Sequence, residues 1–333
     1  MNARTALLFT TLIACGGSAP PVETVETNKK TETTTTAVAT TPTATATPVE
    51  PEKPKDPPGP PSVLSWGGPG MDLATPESVW VDDSGLVLIA NINGKPDGAD
   101  NNGYISAYTG PTGKLNAQKF IEGGKNKVTL NAPKGITVAK GIIYVADLDT
   151  VRLFDLKTGA PKSEVKIAGA TFLNDVAIGP DGKVYVSDSG AKVGEKGFEK
   201  TGTDAVYLIE RGKAKALAKS ADLNGPNGLV VDAKGVWVNT LWSNEIYRLD
   251  AKGQKQDVTK VPTGMLDGFA VVGDTVYVSS WEASTIYKGK IGGSFEALFT
   301  GIKGPADFAY DKKNNWLLVP WFLADKVEAY SIK

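Results

Sequence analysis

Glu77, Asn174, Asn227 and Asp267 supply oxygen donors at equivalent places in four look-alike segments of a 333-residue chain. Two carboxylates and two carboxamides converging on one point would suit a hard divalent cation. Ca2+ in particular takes such oxygens in flexible coordination and leaves positions for water or a ligand. Convergence depends on the segments that carry them. PESVWVDDSGLVLIANI begins at Pro76, PKGITVAKGIIYVADL at Pro133, LNDVAIGPDGKVYVSDS at Leu173, PNGLVVDAKGVWVNTLW at Pro226, LDGFAVVGDTVYVSSW at Leu266 and PADFAYDKKNNWLLVPWF at Pro305. Reading down the position after the opening residue gives Glu77, Lys134, Asn174, Asn227, Asp267 and Ala306.

Each of the six copies reads as an alternating strand, a tight turn of Asp, Gly or Lys-Gly, and a second strand rich in Val, Ile, Tyr and Trp. A third strand follows in every copy (YISAYT, VRLFDLKTG, AVYLIERG, EIYRLDAKG, TIYKGKIGG, VEAYSIK), and a fourth in all but the last. Repeats of this kind are propeller blades, so the fold class is all-β, a six-bladed β-propeller over residues 62–333. The sixth copy ends without its outer strand, whereas SVLSW at 62–66 precedes the first copy. Supplying the missing strand from the N-terminal side closes the ring and removes a free edge. If the first strand of each copy is innermost, the column residues gather at one mouth of the central channel.

Composition removes several chemistries. The chain has no histidine, which excludes Ser-His-Asp and Cys-His catalysis and His-ligated zinc. A net charge of -1 offers no basic field, so nucleic acid is not an expected partner. The single cysteine cannot form an internal disulfide.

That cysteine closes a leader. MNARTALLFTTLIAC has Arg4 in a short n-region and an apolar run too short to span a bilayer. Leu12-Ile13-Ala14-Cys15 resembles a bacterial lipobox, which implies residues 1–14 as a lipoprotein signal peptide and Cys15 as the lipidated residue. The plainer alternative is a secretory signal with an incidental cysteine. Gly16 leans toward the outer membrane, so the expected location is the bacterial cell envelope, with contact to membrane through the lipid alone. Residues 15–61 are Thr-, Pro-, Ala-, Glu- and Lys-rich and read as a disordered tether of roughly 35–40 Å r.m.s. reach.

The column, the blade count and the phrases NDVAIGPDGKVYVSD and PNGLVVD resemble the senescence marker protein/gluconolactonase/luciferin-regenerating-enzyme-like family over residues 62–333. The resemblance implies one divalent metal held by Glu77, Asn174, Asn227 and Asp267, Ca2+ foremost, with Zn2+, Mg2+ or Mn2+ as other candidates. It further implies metal-dependent hydrolysis of a small-molecule lactone or related ester, Asp267 accepting a proton from the attacking water. Sugar-lactonase members carry an Arg two residues before the Asn of the Asn-Asp pair. Phe172 stands there in this chain. Lys134 could point into the same channel, although a solvated turn lysine is the plainer reading.

A second ring, at the ends of the second strands, reads Asn91, Asp147, Asp188, Thr240, Ser280 and Trp321. Asp147 and Asp188 are candidates for binding substrate hydroxyls, against the commoner role of capping loops. Trp242, Trp281 and Trp321 are candidates for an apolar rim, against packing between blades. GKPDGADNNG and GAKVGEKGFEKTGTD should overhang the same mouth.

Two alternatives stay open. Asn, Asp and Gly are favoured where strands begin because they tolerate left-handed backbone, and Gly135, Gly228 and Gly268 fit that without any metal. Glu77 does not. The other alternative is a non-catalytic, membrane-tethered propeller that binds a ligand, a glycan or a partner protein.

Overall fold

The computed structural model describes residues 61–67, 72–109 and 114–332, within a compact unit spanning Asp56–Lys333. The leader, Cys15 and nearly all of the Thr/Pro-rich segment lie outside the described residues. Six four-stranded antiparallel sheets are arranged as the blades of a β-propeller. The innermost strands are Pro76–Val81, Pro133–Ala139, Leu173–Ile178, Pro226–Asp232 and Leu266–Val272, with a shorter Ala309–Asp311 in the sixth blade. Each touches the innermost strand of the next blade, and the cycle returns from the sixth to the first.

Alternation and burial explain the arrangement. Inner strands are buried at their opening residues, whereas fourth strands such as Pro161–Lys166 are almost wholly exposed. Between adjacent sheets lies an apolar wedge. Ala146, Val165 and Ile167 of blade 2 interlock with Leu173, Val176 and Val186 of blade 3, and comparable clusters fill the other five interfaces. Burying each such Val or Leu contributes about 1.5–3 kcal/mol, so no sheet is stable without neighbours on both faces.

Ring closure is as the repeats require. Leu64–Trp66 pairs antiparallel with Lys326–Ser331, matching Leu64 to Ala329 and Trp66 to Val327. Trp66 is buried in the wedge between blades 6 and 1. The sixth inner strand departs from expectation, because its opening residues form single bridges, Pro305 to Trp321 and Ser78 to Asp307. The second bridge joins blade 6 directly to blade 1.

Candidate active site

The column residues owe their aim to β-bulges. Asn174 and Asp175 together oppose Ser187, Asn227 and Gly228 oppose Asn239, and Asp267 and Gly268 oppose Ser279. Lys134 and Gly135 likewise oppose Ala146, and Glu77 is the extra residue between the pairs Pro76–Asn91 and Ser78–Ala90. An extra residue bends the strand and redirects its side chain. Asn227-Gly228 is therefore a bulge within a strand and not a turn before one.

The glycines are there for space. Gly135, Gly228 and Gly268 are absent from the residues with positive φ, so left-handed freedom does not account for them. A Cβ at Gly228 would lie 2.3 Å from the Asp267 carbonyl oxygen, and one at Gly268 would lie 2.4 Å from the Phe308 ring. The next blade's inner strand presses too close for any side chain.

Side chains of the second strands lace blades 3 to 5 together. Ser187 Oγ accepts from Asp175 N (2.9 Å) and donates to Asn227 O (2.7 Å). Asn239 Oδ1 accepts from Gly228 N (2.9 Å), while its Nδ2 donates to Asp267 O. Ser279 Oγ accepts from Gly268 N (2.7 Å) and donates to Ala306 O (3.3 Å). Each bridges one column residue's neighbour to the next column residue. Alternation alone marks these as polar positions in a strand; only the bulge register reveals their task.

Glu77, Asn174, Asn227 and Asp267 are all buried. Asn174 Nδ2 donates to Ser189 Oγ (3.0 Å) and Asn227 Nδ2 to Leu266 O (2.9 Å), which commits both amide nitrogens to protein and turns the carboxamide oxygens away from them. Asp267 Oδ2 accepts from Trp281 Nε1 at 2.8 Å. Among the described residues, Asp267 Oδ1 and Glu77 Oε2 are buried without a hydrogen-bond partner. An orphaned buried carboxylate oxygen is costly, and a cation is one group that relieves the cost.

The electrostatics are those of crowded, buried acids. Burial, then the charges of Asp267 and Asp307, push the Glu77 carboxyl well above the usual carboxylate range, against Lys134, which lowers it. Burial pushes Asp267 up to about 7, opposed by the Trp281 hydrogen bond. Asp175 rises to about 6, also through burial, although Leu229 N and Val176 N donate to it. Asp307 is raised too, by burial and then by Asp175, while Ser78 Oγ donates to its Oδ2 (2.5 Å). Asp175 and Asp307 thus join the channel's charge set. Sequence reading missed Asp307 because the sixth copy places Ala306 in the column and the acid one residue later. Among the described residues no three of His, Cys, Asp or Glu form a metal-binding group, so any ion would rest on amide as well as carboxylate oxygens.

Lys134 is not solvated. It is 1% exposed, its Nζ donates to Ala132 O (3.1 Å), and the ammonium sits 4.2 Å from the centre of the Phe172 ring. Burial lowers its pKa, against the raising influence of Glu77, Asp147 and Asp97. Phe198 packs edge-on against Phe172 at 5.6 Å.

The second ring is largely structural, which corrects the expectation for Asp147, Asp188 and Trp321. Asp147 is wholly buried; it accepts from Asn131 N and Ala132 N and pairs with Arg152 Nε at 3.0 Å. Asp188 accepts from the backbone of Thr171, Phe172 and Gly190. Both are wholly buried and hold loops. Trp321 belongs to the wedge between blades 5 and 6, with its Nε1 on Tyr330 OH (2.9 Å). Trp242 and Trp281 are half-buried; Trp242 donates to Ser189 O and Trp281 to Asp267, so Trp281 orients a column carboxylate.

The two long loops meet. Residues 190–204 form a hairpin of Ala191–Gly194 and Gly197–Lys200, and Val193 N donates to Asp97 Oδ2 at 2.8 Å. Asp97 belongs to blade 1 and Val193 to blade 3, so this bond joins loops of two non-adjacent blades, and the Asp97 charge reaches Lys134 of the blade between them. The Asp/Asn-rich loop is accordingly tied to the hairpin.

No family model matches the sequence, and no curated protein is similar to it in sequence. Solved structures share the fold. The luciferin-regenerating enzyme aligns with a TM-score of 0.59 at 14% identity, covering 80% of this chain and 94% of that one. Selenomethionine-substituted virginiamycin B lyase from Staphylococcus aureus aligns at 0.54 and 16% identity, covering 81% and 99%. A β-propeller domain from Myceliophteria thermophila aligns at 0.54 and 10% identity, covering 83% and 100%. At these identities the likeness establishes a β-propeller architecture that enzymes and a non-enzyme-named domain share.

Proposed function

We propose that the channel holds one divalent cation, Ca2+ foremost, on Glu77, Asn174, Asn227 and Asp267, and that the loaded protein hydrolyses a lactone or related ester. The observation that carries this reading is the pair of buried, partnerless oxygens, Glu77 Oε2 and Asp267 Oδ1. A cation there supplies polarisation of an ester carbonyl and charge to oppose the developing oxyanion. The chain's own part is positioning and proton transfer. Trp281 Nε1 fixes the Asp267 carboxylate through Oδ2, and that carboxylate is the group placed to accept a proton from the attacking water. The proton taken from the water is the one the leaving alkoxide needs.

Two neighbours bear on the choice of chemistry. One solved structure is a catalytically inactive histidine-to-alanine variant of virginiamycin B lyase with quinupristin. This chain contains no histidine, so a lyase mechanism that needs that side chain does not transfer. Phe172 favours less polar lactones over sugar lactones, since it supplies no hydrogen bond to hydroxyls. We further read the protein as an envelope lipoprotein anchored through Cys15.

Calcium titration by calorimetry on wild type and Asp267→Asn, followed by a lactone and aryl-ester panel with metal removed and restored, tests the reading. Wild type should bind one ion and lose turnover with chelator. Absence of ion binding sinks the site; binding without turnover leaves a ligand-binding propeller.

A further inference from the structure

Lys134 is the one column member that carries a positive charge, and its surroundings are unusual. An ammonium has three N–H donors. Among the described residues, Nζ of Lys134 has a single hydrogen-bond acceptor, Ala132 O at 3.1 Å, and no carboxylate within ion-pair distance. Its underside is the Phe172 ring, 4.2 Å away, which attracts the charge without accepting a conventional hydrogen bond. The acids that act on it, Glu77, Asp147 and Asp97, do so from beyond contact. Asp147 is already engaged by Arg152 and loop amides, and Asp97 by Val193 N.

A side chain 99% buried with two unmatched donors is costly as a purely structural device. Leu or Met would fill the same space against Phe172 at no such cost. Lys134 stands in the bulge with Gly135, and the Glu77 charge reaches it there.

We infer that Lys134 is a ligand-binding cation, donating to a carboxylate or carbonyl oxygen of an acyl compound in the channel. This deepens the hydrolase reading and rests on it only for the choice of an acyl ligand. It identifies the ligand class as a compound with an acyl oxygen on an otherwise apolar body. The ring-opened hydroxy acid left by lactone hydrolysis carries such a carboxylate, so the same contact serves the oxyanion and then the product.

The probes are hexanoate and its neutral counterpart 1-hexanol, titrated by calorimetry into the Ca2+-equilibrated protein. Hexanoate should bind wild type, and Lys134→Met should weaken it at least tenfold while leaving 1-hexanol unchanged; Lys134→Arg should stay within several-fold. The nitrogen resonance of Lys134 in 15N-lysine-labelled wild type should move on adding hexanoate, a readout that survives even if Lys134→Met fails to fold. An unmoved resonance, or equal hexanoate affinity in a folded Lys134→Met, overturns the inference. Hexanoate engaging Lys134 in a protein that hydrolyses nothing supports it and removes the hydrolase reading alone.

Discussion

Blades 3 to 5 and blades 1 and 2 build the same bulge and support it differently. In the first arc Ser187, Asn239 and Ser279 tie each bulge to the next blade's column residue. In the second arc the corresponding second-strand residues are Ala90 and Ala146, which can tie nothing. Three of the four oxygen-donor residues, Asn174, Asn227 and Asp267, lie in the laced arc. The cation Lys134 lies in the other. Lacing accompanies the places where several oxygens must hold fixed relative positions, whereas a single long ammonium on a flexible stem reaches its target without it.

Substitutions in the laced arc should therefore cost most. Gly228→Ala drives a Cβ into the Asp267 backbone and should lower stability by about 3 kcal/mol, read by chemical denaturation. Full stability in that variant would mean the blades separate easily. Asn239→Ala strands Gly228 N and Asp267 O in the interior and should cost about 2 kcal/mol. Ala146→Gly, on the unlaced arc, strands no polar group and should cost clearly less than Asn239→Ala, and an equal loss there would erase the contrast.

A pH series sharpens the difference by charge. Asp175 and Asp267 have folded pKa values of about 6 and about 7, above their unfolded values. Between the unfolded and folded values the native state binds more protons than the unfolded one, so stability falls as pH rises. Metal-free protein should lose thermal stability from about pH 4 to about pH 7, and Ca2+ should restore more of it at pH 8 than at pH 5. A melting temperature that rises with pH across that window without metal would contradict the buried acid cluster. A small effect is expected at Asp188→Asn. It should cost about 1 kcal/mol through weakened loop bonds and leave ion binding unchanged. A lost ion there would return Asp188 to the site.

Much of this was legible in the chain. Six copies of one alternating pattern imply blades because each sheet has two apolar faces to bury, and a missing last strand with a spare first one implies closure. The column was legible as a position, since equivalent repeat positions occupy equivalent places around an axis. Its meaning was less so. Asn-Gly reads as a turn in one dimension, and only pairing shows two residues opposite one.

The sequence by itself determined the architecture and the oxygen donors, because both follow from local periodicity repeated six times. Tertiary structure alone decided which polar groups are spent and which are spare. Asp147, Asp188 and Trp321 turned out to be occupied in holding loops and wedges; Glu77, Asp267 and Lys134 turned out to be buried with unmet valence. Whether a buried polar atom finds a partner depends on atoms contributed by other blades, and no pattern within one repeat contains them.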